Sequence, residues 1–163
     1  MMEWNRPRSV RQIGSVPGRE RIYVEDYVMR FAKRLAAKQS DNEKAAMLLG
    51  NQYHYNGQKI VQISGIVEIP QFARRNSPVL SPQSWDSVYT EIKENFTDLD
   101  IVGWFYTARD FDRQDAGKLL EIHKANFQHR DKVLYILDEK EQEDGMFLYH
   151  MGCLLYTSPS PRD

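Results

Sequence analysis

DLDIVGWFYTARDFDRQDAGKLLEIHKANF, residues Asp98 to Phe127, decides the reading of the fold. Its first part, Ile101-Val102-Gly103-Trp104-Phe105, is a short continuous apolar run of the kind that forms a buried strand. The run passes straight into a polar loop, and the loop opens a segment with Leu119, Leu120, His123 and Phe127 on one side of a helix. Strand, loop and helix in this order form the unit of an α/β protein, and the carboxyl end of such a strand is where these folds place their chemistry.

The flanking segments extend the pattern. Val28, Phe31, Ala32 and Leu35 recur at i, i+3, i+4 and i+7 and predict a helix over residues 25–39. Glu25 and Asp26 stand in its first turn and Lys33, Arg34 and Lys38 near its end, as the helix dipole favours. Two strand-like runs, 44–55 and 58–69, meet at Asn56-Gly57, a dipeptide suited to a two-residue hairpin turn. The first contains Ala45-Ala46-Met47-Leu48-Leu49, apolar without alternation, which predicts a central strand covered on both faces. Ser64-Gly65 interrupts the second run and marks a bulge. Ser81 and Pro82 read as the N-cap and first-turn proline of a helix over residues 83–96, with Leu80 and Trp85 spaced as a hydrophobic staple. Trp85, Val88, Tyr89, Ile92 and Phe96 are expected on its buried face, and the third helix is expected over 115–127. Lys132 to Asp138 reads as a buried strand, Glu139 to Gly145 as an acidic turn and Met146 to His150 as a last strand.

A chain of 163 residues with 41% hydrophobic residues and a net charge of −1 has room for one domain with its own core. No run approaches the roughly 20 apolar residues of a membrane span and no signal peptide is visible, so the expected location is the cytoplasm. Residues 1–22 carry five Arg against Glu3 and Glu20, a local net +3, with Pro7, Pro17, Gly14 and Gly18 interleaved. Residues 1–20 are therefore read as a flexible Arg-rich arm. Without a Lys cluster or interleaved aromatics it is weak as a nucleic-acid patch, and no nucleic-acid partner is expected. A third reading, an adaptor binding nucleic acid through this arm, would require salt-dependent binding.

The other end reads differently. Cys153-Leu-Leu-Tyr-Thr-Ser-Pro-Ser-Pro-Arg-Asp163 resembles one reading frame of a transposon-type sequencing-library adapter at every residue. Residues 153–163 are accordingly expected to be an artefact, with the natural sequence cut near Gly152. That removes the chain's single cysteine, and with it any disulfide, thiolate nucleophile or Cys-ligated zinc.

Val102-Gly103-Trp104-Phe105-Tyr106-Thr107-Ala108-Arg109, together with the order of elements, resembles the JAMM/MPN metalloprotease family, whose strand reads V-G-W-Y-H-S/T-H-P. The resemblance implies an α/β domain over residues 21–152, a three-layer α/β/α MPN (cytidine-deaminase-like) fold with a mixed sheet. In that family the two histidines and the aspartate of a following Ser-x-x-Asp bind zinc, and a glutamate from an earlier E-x-x-G-x-L-x-G strand is the general base. Glu43 falls on the base position of the similar segment Glu43 to Gly50, where Ala46 replaces the first glycine. Tyr106 and Ala108 stand at the two histidine positions and Arg109 at the proline. No serine occurs between Ser87 and Ser158, and Asp115, the nearest aspartate, is misspaced.

A catalytic zinc needs about three protein ligands and an open position. With Glu43, Tyr106, Ala108 and Asp115 as degenerate positions, no metal and no cofactor are expected. The resemblance thus implies a catalytically inactive MPN-like module acting in protein interaction or scaffolding, with Tyr106, Arg109, Phe111 and Arg113 as candidate partner contacts. The alternative is a metal-dependent isopeptidase or peptidase with a site rearranged around Glu43 and Asp115. A further resemblance, carried by Ile22-Tyr23-Val24-Glu25-Asp26-Tyr27-Val28, is to bacterial proteins in which such a domain precedes a membrane segment and a LysM module. It implies a cytosolic head whose membrane segment lies outside this fragment. His123 reads as a hydrogen-bonded core residue, Asp110, Asp112 and Asp115 as solvated carboxylates, and Arg74 and Arg75 as a basic loop able to meet an acidic partner.

Overall fold

Five consecutive apolar residues can be sheltered only if both faces of their strand are covered, and the fold is built on that requirement. The structure, a computed structural model, describes residues 10–16, 20–37, 43–70, 72, 80–108, 116–127, 132–138, 143–150 and 153–156. Ala45 to Leu49 lie in β3 (Lys44–Tyr55), and all five are fully buried. Antiparallel neighbours flank it, β4 (Gln58–Glu68) on one side and β5 (Asp100–Ala108) on the other. Outward from these run β2 (Glu20–Glu25) and β1 (Val10–Val16) on one flank. On the other flank lie β6 (Val133–Asp138), β7 (Glu143–His150) and β8 (Cys153–Tyr156). The sheet has the order β1-β2-β4-β3-β5-β6-β7-β8. It is mixed: β2 pairs with β4 and β5 with β6 in parallel, and the remaining pairs are antiparallel.

Helices cover both faces. Ala46, Leu48, Ile63, Phe105 and Tyr135 meet Val28, Ala32 and Leu35 of α1 (Asp26–Ala37). Ala45, Met47, Leu49, Trp104 and Leu134 meet Val88 of α2 (Pro82–Asn95) and Leu119 and Ile122 of α3 (Ala116–Phe127). Alternation along each strand sends successive side chains to opposite cores. The molecule is therefore an α/β domain with a mixed sheet. Among the described residues no helix is long and apolar enough to cross a membrane.

Local chemistry sets the joints. Asn56 and Gly57 both have positive φ, 50° and 76°, the type I′ geometry whose twist matches that of the strands it joins. Ser81 caps α2, its Oγ accepting from the Ser84 N–H at 3.1 Å, with Pro82 beginning the helix and Leu80 and Trp85 packed on the same core.

Two bulges sit on either side of β3 at one level. Leu49 and Gly50 pair with Gly65 and Ile63, leaving Ser64 as the extra residue of β4. Leu48 and Leu49 pair with Gly103 and Ile101, leaving Val102 as the extra residue of β5. A bulge turns backbone groups out of the ladder, and buried carbonyls need donors from elsewhere. The Tyr27 hydroxyl donates to the Ser64 carbonyl and the Lys132 ammonium to the Ile101 carbonyl. Burial beside this bulge pushes the Tyr27 hydroxyl pKa up, with Glu25 adding to the effect. Burial also raises the Glu25 carboxyl, against a hydrogen bond from Ser64 that lowers it.

Several expectations change. Residues 10–16, read as part of a flexible arm, form β1, paired with β2. Val10, Ile13 and Val16 are spaced by three and give no strand alternation, because β1 carries a register shift between Gln12 and Gly14. Residues 1–9 lie outside the described residues. Tyr89, expected in the core, is 54% exposed. It stands at the margin of the stripe formed by Trp85, Val88 and Ile92, and stacks on Trp85 with centroids 5.5 Å apart. β7 begins at Glu143, inside the expected acidic turn. Cys153 to Tyr156 pair with Phe147 to His150 as β8, and residues 157–163 lie outside the described residues.

Two glycines make opposite predictions. A Cβ at Gly103 would stand 2.1 Å from the Val133 carbonyl oxygen, so Gly103→Ala must push β5 and β6 apart. It is expected to cost about 2–3 kcal/mol in urea unfolding. A Cβ at Gly117, in α3, meets nothing within 4 Å, and Gly117→Ala is expected to stabilise by about 0.5–1 kcal/mol in the same assay.

Candidate functional site

Register assembles the site. Ala45 faces Tyr106 and Lys44 faces Thr107, so Glu43, directly before β3, arrives at the level of Ala108. Side chains two apart on a strand share a face, which places Glu43, Tyr106 and Ala108 together on the side that carries α2 and α3. The Tyr106 hydroxyl donates to Glu43 Oε2 at 2.8 Å. Tyr106 is fully buried, whereas Glu43 and Ala108 are half-buried at the end of the sheet. A phenol hydroxyl buried in an apolar core needs an acceptor, since leaving it unpaired costs about 1–3 kcal/mol. Glu43 supplies one.

Aromatic rings pack beneath this pair. Tyr106 meets Trp104 edge-on at 6.2 Å and Phe72 at 6.1 Å, and Phe72 meets Trp104 at 6.2 Å. Such tilted arrangements suit the ring quadrupoles. Trp104 Nε1 donates to Nδ1 of His123, on α3, at 2.9 Å. His123 is fully buried, and desolvation lowers its pKa from 6.5 to about 4. The Leu80 N–H donates to Asn126 Oδ1 at 3.1 Å, which ties the lead-in of α2 to α3. Thr107, on the opposite face, donates its hydroxyl to the Leu137 carbonyl at 2.7 Å and so fastens β5 to β6.

The chemistry of this arrangement is limited. The bond from Tyr106 engages Glu43 Oε2 and leaves the carboxylate's other lone pairs as acceptor sites, whereas Ala108 offers no ligand atom. Among the described residues no three His, Cys, Asp or Glu side chains converge as a metal site would require. Arg109, Phe111, Arg113 and Asp115 lie outside the described residues, as do Arg74, Arg75, Asp110 and Asp112.

Tyr106, expected as a partner contact, cannot be one in this conformation. Its ring lies under Phe72 with no exposed surface, because the register turns it toward the core. His123 is placed as expected, buried and hydrogen-bonded. The pairing of Glu43 with Tyr106 was not visible in the sequence, which showed both residues but not the strand register that joins them. The Trp104–His123 bond was also missed, although a buried indole N–H usually has an acceptor nearby. A shallow groove of about 470 Å³ on the outer side of α2, lined by Asp86, Thr90, Glu91 and Glu94, is the solvated face of that helix.

No protein-family model matches the chain, and no curated protein matches it. Among solved structures it is similar to the solution structure of protein DSY2949 from Desulfitobacterium hafniense. The TM-score is 0.54 at 12% identity, covering 85% of this chain and 88% of that one. At this identity the likeness is one of fold.

The Tyr106–Glu43 bond makes a direct prediction. Tyr106→Phe keeps the ring and removes the donor, and is expected to cost about 1 kcal/mol at neutral pH in chemical unfolding. In the background of Glu43→Gln the same substitution should cost measurably less, and a double-mutant cycle reads the difference.

Proposed function

We propose that this chain is a catalytically inactive MPN-like domain that works as a protein-interaction or scaffold module in the cytoplasm. The observation that carries the reading is the hydrogen bond from Tyr106 to Glu43. The residue resembling the family's general base and the residue at its first zinc-ligand position are adjacent and hydrogen-bonded to each other. The second ligand position, Ala108, stands next to them without a donor atom. The order of elements, with Glu43 leading into the central strand and the broken motif ending β5, agrees with the proposed family frame.

Partner contacts on this reading come from the sheet end beside Ala108 and from the loop that follows, with Arg109, Phe111 and Arg113. Aromatic and arginine side chains are the usual anchors of protein interfaces. The exposed ring of Tyr89, backed by Trp85, offers a further aromatic contact on α2.

Metal analysis tests the reading. The protein purified without a His-tag is expected to carry no stoichiometric zinc. The double variant Tyr106→His, Ala108→His places two imidazoles at i and i+2 on one strand face beside Glu43, and is expected to gain micromolar binding of Zn2+ or Co2+. The Co2+ absorption spectrum reads that gain. Stoichiometric zinc in the unaltered protein, lost in Asp115→Ala, would overturn the reading in favour of a rearranged metallopeptidase.

A further inference from the structure

Among the described residues α3 is held by Leu119 and Ile122, by the bond from the Leu80 N–H to Asn126 and by His123, and the last of these can change charge. Among its described residues Leu119, Ile122 and His123 are buried, whereas Gly117, Lys118, Glu121, Lys124 and Ala125 are exposed. The helix packs less closely on the strands than α1 does on the other face. Leu119 and Ile122 attach it by apolar area. His123 attaches it by a hydrogen bond of defined polarity.

An indole N–H can only donate, so Nδ1 of His123 must present a lone pair to Trp104 Nε1 at 2.9 Å. The ring is therefore neutral in this state. An imidazolium carries a proton on each nitrogen and cannot accept this bond. Among the described residues the groups around the ring are apolar, aromatic or turned to solvent. The strands beneath α3 present Trp104, Tyr106, Leu134 and Ile136 to this core, and the titratable one, Tyr106, donates its hydroxyl to Glu43. Lys118, Glu121 and Lys124 of α3 are exposed, as are Asp86, Glu91, Lys93 and Glu94 of α2. Desolvation alone accounts for the depressed basicity of the imidazole. The second core, around α1, shares no helix with this one.

We propose that α3 is an acid-released latch: protonation of His123 detaches the helix from β5 and β6, uncovers the aromatic cluster of Phe72, Trp104 and Tyr106, and leaves the α1 side of the sheet folded. The latch is a property of α3 itself and does not depend on the scaffold reading. The latched form binds a proton more weakly than a solvated imidazole does. It is thus fully favoured above about pH 6.5 and loses ground as pH falls toward about 4. Over that window the opening equilibrium of α3 rises about tenfold per pH unit, to about 300-fold in all.

Hydrogen exchange on the full chain, corrected for the intrinsic pH dependence of exchange, tests the latch. Between about pH 7 and about pH 4.5, peptides from 116–127 are expected to lose protection about 100-fold while those from 26–37 keep theirs. His123→Gln can still accept from Trp104 but does not titrate, and should flatten the pH dependence of α3. If that variant does not fold, the wild-type series decides alone. Unchanged protection of α3 under acid, equal loss in α1 and α3, or an undiminished acid response in His123→Gln would each overturn the proposal.

Discussion

The structure depends on keeping Ala45 to Leu49 out of water. Fully burying each large apolar side chain contributes about 1.5–3 kcal/mol, and a strand that buries five residues in a row needs a core on each side. β3 therefore takes the middle of the sheet, with α1 over one face and α2 and α3 over the other. The bulges at Ser64 and Val102 bend both neighbouring strands at the level of Leu48 to Gly50. Tyr27 and Lys132 complete the hydrogen bonding there, so each bulge also ties in the element that carries its donor. Gly65 belongs to the same arrangement, since a Cβ there would meet the Phe96 ring at 2.9 Å.

From this constraint the candidate site follows without further design. Once β3 and β5 are in register, Glu43 must come level with Ala108 and next to Tyr106. Tyrosine at that place brings a hydroxyl into an apolar cluster, and the carboxylate becomes its acceptor. The site is thus held together by a hydrogen bond between the buried Tyr106 hydroxyl and the Glu43 carboxylate, the observation on which the proposed interaction role rests. The same face carries the Trp104–His123 bond, so strand β5 supplies polar links both to the start of β3 and to α3.

Much of the fold was legible because its signals are local. The apolar run at Ala45 to Leu49, the Asn56-Gly57 turn, the Ser64 bulge and the Ser81-Pro82 cap each depend on a few adjacent residues, and each stands where its chemistry requires. β1 was not legible because its apolar positions are diluted by polar residues and a shifted register, and its stability comes from pairing with β2 rather than from its own pattern. Tyr89 was misplaced because helical spacing cannot tell the centre of a buried stripe from its margin. At the site, the residue types at Glu43, Tyr106 and Ala108 could be read directly. The Glu43–Tyr106 bond could not, because it joins positions 63 apart in sequence and depends on register. A shift of one residue would have turned every side chain of the strand to the other face.

Cross-strand nuclear Overhauser effects in the labelled protein read that register. Backbone contacts are expected to pair Ala45 with Tyr106 and Met47 with Trp104, with a side-chain contact between Glu43 and the Tyr106 ring. Contacts pairing Ala45 with Phe105 or Thr107 would contradict it, since Glu43 and Tyr106 would then face opposite sides of the sheet.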